Sequence, residues 1–164
     1  MTTHLTSPVI DLLVQQQIQF EVIEIPLSDD QKPIRQLEEL LSAQGLDPQS
    51  VVRSVVFKGG NSGFCLLAVA GGGRADWALL RAHLGERKCR MAEYDEVPEA
   101  TGYVVGAVPP IALPEALTVL VDDSVTGYDT VVIGSGLLGY ALALRSADLL
   151  QCLSGKTRGH FVKA

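Results

Sequence analysis

The segment Thr101-Gly102-Tyr103-Val104-Val105-Gly106-Ala107-Val108-Pro109-Pro110 is apolar, yet two glycines and two prolines interrupt it. Surface loops are normally polar because their backbone groups must meet water. Glycine allows a close backbone approach and positive φ, whereas proline fixes φ and removes a donor. Two structures fit this pattern: a rigid wall that presents bare backbone N–H groups to a small ligand, or a buried turn between two core strands.

The composition predicts one globular domain over residues 1–164. The chain is 47% hydrophobic and 20% charged, with a formal net charge of -6, and it is long enough to bury a sizeable core. The negative net charge argues against broad binding to nucleic acid and hence against DNA as a partner, although binding to a short, defined RNA is still compatible with it.

No apolar run reaches the roughly 20 residues that cross a bilayer. Residues 1–8 lack the features of a signal peptide, so we expect no membrane partner and a cytoplasmic location.

The cysteines and histidines give no pattern of a metal or disulfide framework. Cys65, Cys89 and Cys152 are odd in number and form no CxxC pair, and the histidines are scattered. We therefore expect no metal site, no cofactor and a reducing compartment.

Apolar periodicity predicts strands and helices in a mixed order. Strands are predicted at 20–25, 51–58, 64–70, 87–91, 117–121, 130–133 and 140–144. Helices are predicted from residue 8, at 33–44, 75–84 and 93–100, and from residue 146. Because strict βαβ alternation is missing, we expect an α+β fold with a mixed central β-sheet and surrounding helices.

The stretch Gly134-Ser135-Gly136-Leu137-Leu138-Gly139 fits the dinucleotide-binding pattern GxGxxG and follows a predicted strand. That fingerprint needs a helix next, then a second parallel strand and an acidic residue about twenty positions later. Here another strand, at 140–144, follows directly, which disfavours a dinucleotide site. The remaining alternatives are a glycine turn that joins two strands and a second bare-backbone wall that faces the first loop.

Five blocks together resemble a known family. They are Val52-Arg53-Ser54-Val55-Val56-Phe57-Lys58, the 101–110 segment, Asp122, the 134–139 glycine stretch and Asp148-Leu149-Leu150. Their order and spacing resemble the YbaK/ProX family of trans-editing aminoacyl-tRNA deacylases, whose relatives include the editing domain of bacterial prolyl-tRNA synthetases. The resemblance runs over about residues 9–153.

The resemblance implies a YbaK-like fold and a hydrolase that protects translation fidelity. Such enzymes cleave the ester between a small amino acid and the terminal ribose of a mischarged tRNA, without a metal or cofactor. The implied partners are the 3′ end of aminoacyl-tRNA and, as a further candidate, an aminoacyl-tRNA synthetase. Backbone N–H groups position the ester, and a tRNA hydroxyl or the substrate side chain assists. Preset donors around a developing oxyanion can lower the barrier by a few kcal/mol.

The resemblance also implies the site residues, which we expect around one cleft. The catalytic candidates are Arg53, Gly106 and Ser135. The substrate-binding candidates are Phe20, Ser54, Gly102, Ala107, Val108, Pro110, Gly134 and Gly136. For Phe20, plain core packing is the alternative.

Arg53 departs from the family pattern, which has a lysine tied to activity at this position. Arginine keeps the charge, but its guanidinium is planar and always protonated, so it cannot act as a general base. Lys58 lies five residues on and therefore on the opposite face of a regular strand. Ala107 and Pro109 are smaller departures, at positions where the family often has glycine and serine.

Three functions follow as alternatives: a deacylase, a catalytically silent protein that binds the aminoacyl group or the tRNA end, and a protein–protein module on the same fold.

Structural alternatives exist for single residues as well. A purely structural Arg53 would pair with a surface carboxylate. Trp77 and Tyr94 are expected to pack. The cations of residues 74–90 form either a solvated face or a phosphate-binding surface (Arg74, Arg81, Arg87, Lys88 and Arg90).

Overall fold

The computed structural model describes residues 5–163, and these residues form two β-sheets surrounded by short helices. The strands are β1 (Phe20–Glu24), β2 (Arg53–Gly59), β3 (Gly63–Val69), β4 (Cys89–Met91), β5 (Thr118–Asp122), β6 (Thr130–Gly134), β7 (Tyr140–Arg145) and β8 (Thr157–Gly159). The helices are α1 (Pro8–Gln15), α2 (Leu37–Ala43), α3 (Trp77–Leu84), α4 (Glu96–Thr101) and α5 (Ser146–Cys152). Short 3-10 turns occupy Pro48–Ser50 and Asp123–Gly127.

The strands divide into a three-stranded sheet and a five-stranded sheet. The small sheet is antiparallel in the order β1-β7-β6, and the large sheet is mixed in the order β4-β2-β3-β5-β8. The two meet beside β2, where Val51 forms a parallel bridge to Val132 and the Val52 N–H donates to the Val132 carbonyl at 2.8 Å. The predicted α+β class is confirmed, but two joined sheets replace the one central sheet that we expected.

Alternation along β2 distributes its side chains between two hydrophobic clusters. Val56 faces the main cluster, which α1, β6 and β7 also enter, whereas Phe57 faces a second cluster beneath α3. Trp77 packs edge-to-face on Phe57 with ring centroids 5.6 Å apart, so its predicted packing role is confirmed. The main cluster joins both sheets and so fixes the place where they meet.

Several element boundaries differ from the predicted ones for local reasons. The helix expected at 33–44 begins only at Leu37, because Pro33 instead forms a bridge with Leu27. The helix expected from residue 93 begins at Glu96, and the strand expected from residue 87 begins at Cys89. Sequence analysis missed β8, which has only three residues and pairs in parallel with β5. Among residues 5–163, no helix has the length and hydropathy of a membrane span.

Candidate functional site

A cleft of about 480 Å³ lies where the two sheets meet. The start of β2, the segment after β4, the apolar loop at 105–108 and the facing ends of β6 and β7 enclose it. Its lining includes Val52, Arg53, Ser54, Val56, Met91, Tyr94, Val105, Gly106, Val108, Gly134 and Tyr140. The structure thus brings five of the predicted site residues to one cleft, namely Arg53, Ser54, Gly106, Val108 and Gly134.

The apolar loop lies with its backbone directly against the end of β6. A Cβ atom built on Gly134 would lie 2.4 Å from the Val108 carbonyl oxygen and 3.0 Å from that of Ala107. The Gly136 N–H donates to the Ala107 oxygen at 2.9 Å, and Gly136 has φ +85°. The glycine motif therefore forms a turn between two antiparallel strands, and at Gly134 this turn lies directly against the backbone of the first loop.

The Thr101-Gly102-Tyr103 block holds the loop in place. The Thr101 hydroxyl accepts a hydrogen bond from the Tyr103 N–H at 3.1 Å and donates to the Val97 carbonyl at 2.7 Å. The Tyr103 hydroxyl donates to the Ala112 carbonyl at 2.6 Å, and burial raises the pKa of this phenol. Gly102 ends α4 with φ +83°. This block explains the rigidity of the loop and contributes no side chain to the cleft lining.

The loop offers backbone donors beside the cleft. The Ala107 N–H donates to the Val104 carbonyl at 3.1 Å. Within residues 5–163, no hydrogen-bond acceptor is found for the N–H groups of Gly106 and Val108, two residues that line the cleft. Gly106 is exposed and Val108 is half-buried, so both N–H groups are accessible from the cleft and are candidates for contacts with a ligand.

Ser54 places an unpartnered hydroxyl in the same cleft. Its Oγ atom is buried, and no hydrogen-bond partner for it is found in the described part of the chain. Most buried side-chain hydroxyls in proteins are hydrogen-bonded. Because Ser54 lines the cleft, its hydroxyl is available to a polar group of a bound ligand.

Arg53 lies at the rim of the cleft, on the first residue of β2. Its side chain is exposed, and its guanidinium donates a hydrogen bond to the carbonyl of Gly73. The contact is with the backbone and not with the carboxylate that a purely structural arginine was expected to have. The pairing of β2 with β3 is continuous, so Lys58 lies on the opposite strand face, with its amine 5.0 Å from the centre of the Phe64 ring.

Ser135 is buried within the glycine turn. Its hydroxyl donates to the Tyr140 carbonyl at 2.7 Å and accepts from the Leu137 N–H at 3.0 Å. In addition, the Ser7 hydroxyl at the start of α1 donates to the Ser135 carbonyl at 2.6 Å. These contacts favour a role in shaping the turn over direct contact with a substrate.

The remaining substrate-binding candidates lie outside the lining of the cleft. Phe20 packs against the main hydrophobic cluster and borders a separate depression beside β1 and β7. Ala107 and Pro110 are buried behind the loop surface. Tyr94, expected to pack, is instead 77% exposed at the mouth of the cleft, so its predicted packing role is wrong. It follows β4, which lies at the edge of the large sheet.

The ionisable side chains of the lining are those of Arg53, Tyr94 and Tyr140. Among the described residues, no histidine, carboxylate, thiol or amine side chain lines the cleft. No group of three His, Cys, Asp or Glu side chains arranged to hold a metal ion occurs in residues 5–163. Within the described residues, the polar groups that this cleft offers for chemistry are therefore backbone donors, the hydroxyls of Ser54 and of the two tyrosines, and a positive charge at the rim.

Sequence reasoning missed several cleft residues, among them Ile25, Met91 and Tyr140. Ile25 follows β1, Met91 ends β4 and Tyr140 begins β7. They become neighbours only because the two sheets join beside Val51. No local pattern marks such residues, whereas glycine and proline mark the loop and the turn.

Known protein families and proteins include relatives of this chain. Residues 31–152 match the model of the aminoacyl-tRNA editing domain. A proline–tRNA ligase of Kosmotoga olearia is 25% identical over 127 residues, which is 77% of this chain and 21% of that protein. The chain spans about a fifth of the length of the proline–tRNA ligases that it matches first.

Two further relatives match over larger shares of their own length. The multifunctional Ser/Thr-tRNA deacylase ProXp-y of Escherichia coli K12 is 30% identical over 111 residues, 67% of this chain and 66% of that protein. The crystal structure of a "putative trans-editing enzyme for prolyl tRNA synthetase" superposes with a TM-score of 0.76 at 25% identity, covering 98% of this chain and 99% of that one. Because the family model covers most of the chain and includes the loop, the turn and the start of β2, this protein belongs to the aminoacyl-tRNA editing domain family.

Proposed function

We propose that this protein is an aminoacyl-tRNA deacylase that acts in trans, in the cytoplasm, on tRNA that a synthetase has mischarged. It hydrolyses the ester between a small amino acid and the terminal ribose at the tRNA 3′ end. Membership of the editing family supports this proposal. So does similarity to a named Ser/Thr-tRNA deacylase over two thirds of both chains.

The cleft itself is the observation that carries the proposal. It combines an apolar lining, the unpartnered hydroxyl of Ser54 and the unpartnered N–H groups of Gly106 and Val108. Its volume of about 480 Å³ lies in the lower part of the roughly 300–1,000 Å³ range of small-molecule sites. That size suits a small aminoacyl group together with part of the ribose.

The proposed reaction is the attack of water on the ester carbonyl carbon. A tetrahedral intermediate forms, its oxygen becomes negative, and the bond to the ribose oxygen then breaks. The N–H groups of Gly106 and Val108 stabilise that negative oxygen, and one such donor contributes about 3–4 kcal/mol in well-studied hydrolases. The vicinal ribose hydroxyl relays the proton, since it accepts one from the attacking water and donates its own to the leaving ribose oxygen. Alternatively, the neutral substrate amine accepts the proton of the water and then transfers it to that oxygen, so that the free amino acid and the ribose hydroxyl are the products.

Arg53 in this proposal binds the terminal ribose or an adjacent phosphate. A guanidinium offers forked, charge-assisted hydrogen bonds to such oxygens, and it stays protonated, so it takes no part in proton transfer. Ser54 binds a polar atom of the aminoacyl group. Gly134 forms part of the cleft wall, and Ser135 and Gly136 keep the loop and turn in register, so they position the donors from outside the lining.

A catalytically silent binding protein is the second candidate function. The contact between the Arg53 guanidinium and the Gly73 carbonyl favours it, because that contact holds the cation at the rim of the cleft. Arginine at this position instead of the family's lysine is compatible with a site that binds the tRNA end without cleaving it.

The release of radiolabelled amino acid from a panel of mischarged tRNAs separates the two candidates. We expect Arg53→Ala to lower kcat/KM by about 10- to 100-fold, the equivalent of one hydrogen bond to a charged group. Arg53→Lys should retain or raise activity. Arg158→Ala is the matched control, because this exposed arginine lies on β8, at the sheet edge opposite β4. If wild type and Arg53→Lys bind tRNA but release no amino acid from any of them, the silent-binder candidate is correct.

A further inference from the structure

A second depression, here called the basic groove, lies at the far end of β2 and β4 and has a volume of about 560 Å³. Five cationic side chains line it: Lys58, Arg81, Arg87, Lys88 and Arg90. The whole chain has 13 lysines and arginines against a net charge of -6. More than a third of the positive charge is therefore gathered in one place on an acidic protein.

Salt bridges within the described part of the chain do not neutralise most of this positive charge. Of the five groove cations, Arg90 alone takes part in a salt bridge there, with Glu96 at 2.6 Å. The carboxylate of Glu86 instead accepts from the N–H groups of Asn61 and Ser62 at 2.8 and 2.5 Å. Cations without such partners raise the local positive potential, which attracts a polyanion.

The basic groove and the cleft are lined by consecutive residues of β4. Arg90 lines the groove, and the next residue, Met91, lines the cleft. Lys58 and Arg90 are cross-strand partners on the same sheet face as Ser54, which also lines the cleft. Exposed Tyr94, at the mouth of the cleft, follows Arg90 of the groove by four residues, so their Cα atoms lie at most about 14 Å apart.

We propose that the basic groove binds the phosphate backbone of the RNA whose aminoacyl end occupies the cleft. This inference rests on the proposed function, which supplies the RNA. Lysine and arginine side chains bind phosphates without reading sequence, and an exposed aromatic ring next to a cationic track stacks on unpaired bases. Tyr94 at the cleft mouth supplies that ring, so the groove, Tyr94 and the cleft form one continuous path for a single-stranded 3′ end.

The test is the salt dependence of binding to fluorescently labelled, uncharged tRNA, measured by anisotropy between about 50 and 200 mM KCl. The double variant Arg87→Gln/Lys88→Gln removes two exposed cations. We expect about tenfold weaker binding near 0.1 M salt and a decrease of about 2 in the slope of log K against log salt, as for two lost phosphate contacts. The thermal midpoint of each variant is measured alongside, to show that it remains folded.

The matched control is Lys156→Gln/Arg158→Gln, which makes the same charge change beside β8, at the opposite edge of the large sheet. We expect its affinity to stay within about twofold of wild type. Equal weakening in both double variants, unchanged binding in the groove variant, or no binding by wild type would each overturn the proposal.

Hydrolysis by the wild-type protein of a short substrate, an aminoacyl ester of adenosine without phosphates, tests the deacylase function separately. If that ester and the mischarged tRNAs stay intact while binding responds to the groove substitutions, the proposed reaction fails and the groove proposal stands. If hydrolysis proceeds and the groove substitutions leave tRNA binding unchanged, the groove proposal alone fails.

Discussion

Ser54→Ala should make the protein less active and no less stable. The Ser54 Oγ atom is buried without a partner in the described part of the chain, and an unsatisfied buried hydroxyl costs about 1–3 kcal/mol. Its removal should leave the free energy of unfolding unchanged or raise it by up to about 2 kcal/mol. A chain of this length gains about 2–4 °C in melting temperature for each kcal/mol.

The same substitution removes one hydrogen bond to the ligand. A net contribution of about 0.5–1.5 kcal/mol corresponds to a loss of roughly 2- to 10-fold in kcat/KM for release of the amino acid. Stability and activity should therefore move in opposite directions. Thermal unfolding measures the stability, and hydrolysis of one mischarged tRNA measures kcat/KM, both on the same preparation.

Ser135→Ala is the matched control, since it makes the same chemical change at a serine with all its hydrogen bonds formed. The hydroxyl accepts from the Leu137 N–H and donates to the Tyr140 carbonyl. Its removal leaves these groups without a partner, so the free energy of unfolding should fall by about 1–3 kcal/mol. If Ser54→Ala lowers stability as much as Ser135→Ala does, or leaves kcat/KM unchanged, then Ser54 is a structural residue and the reasoning is wrong.

Two further substitutions test the wall of the cleft and a surface ion pair. Gly134→Ala should lower the free energy of unfolding by about 1–3 kcal/mol and abolish hydrolysis, because the new methyl group would lie 2.4 Å from the Val108 carbonyl oxygen. In urea unfolding, Gly127→Ala, where nothing lies within 4 Å, should stay close to wild type; equal effects would refute the packing argument. Arg90 lowers the pKa of Glu96 to about 2, so the stabilisation from this pair should be complete above about pH 4.5 and lost as the pH falls towards 2. The melting temperature of Glu96→Gln should thus lie below that of wild type at pH 6 and meet it near pH 2, and a gap that does not change with pH would contradict this.

Sequence analysis predicted the class of the fold and one wall of the cleft, because both depend on patterns of residues that are close together in the sequence. Alternating apolar residues identify β1, and a short continuous apolar run identifies β7, whose central residues are buried on both faces. Glycine and proline marked the loop at 101–110 and the glycine turn, and the structure shows why for the turn: Gly134 lies directly against the loop backbone, and Gly136 lies against the Tyr103 ring with positive φ. A position that has no room for a side chain must be glycine, and that glycine can be recognised in the sequence.

The division into two sheets could not be predicted, because it depends on long-range pairing. β1 pairs with β7 across more than a hundred residues, and β6 joins that sheet instead of the one that contains β5. No spacing within the sequence distinguishes these partners. For the same reason Met91 and Tyr94 were not expected at the cleft, which they reach through the pairing of β4 with β2.

A cleft built from backbone groups also explains how the family's lysine position can hold Arg53. In the proposed mechanism the N–H groups of Gly106 and Val108 supply the electrostatic stabilisation, so a side chain at the rim would only have to bind and orient the ribose or phosphate. A guanidinium and an ammonium both carry the charge for that task, although their geometry differs. Gly134 cannot be exchanged in this way, because any side chain there would displace the carbonyl groups of the facing loop. Substitutions at the rim should therefore alter rate and selectivity, whereas substitutions at the glycine contact should remove the site itself.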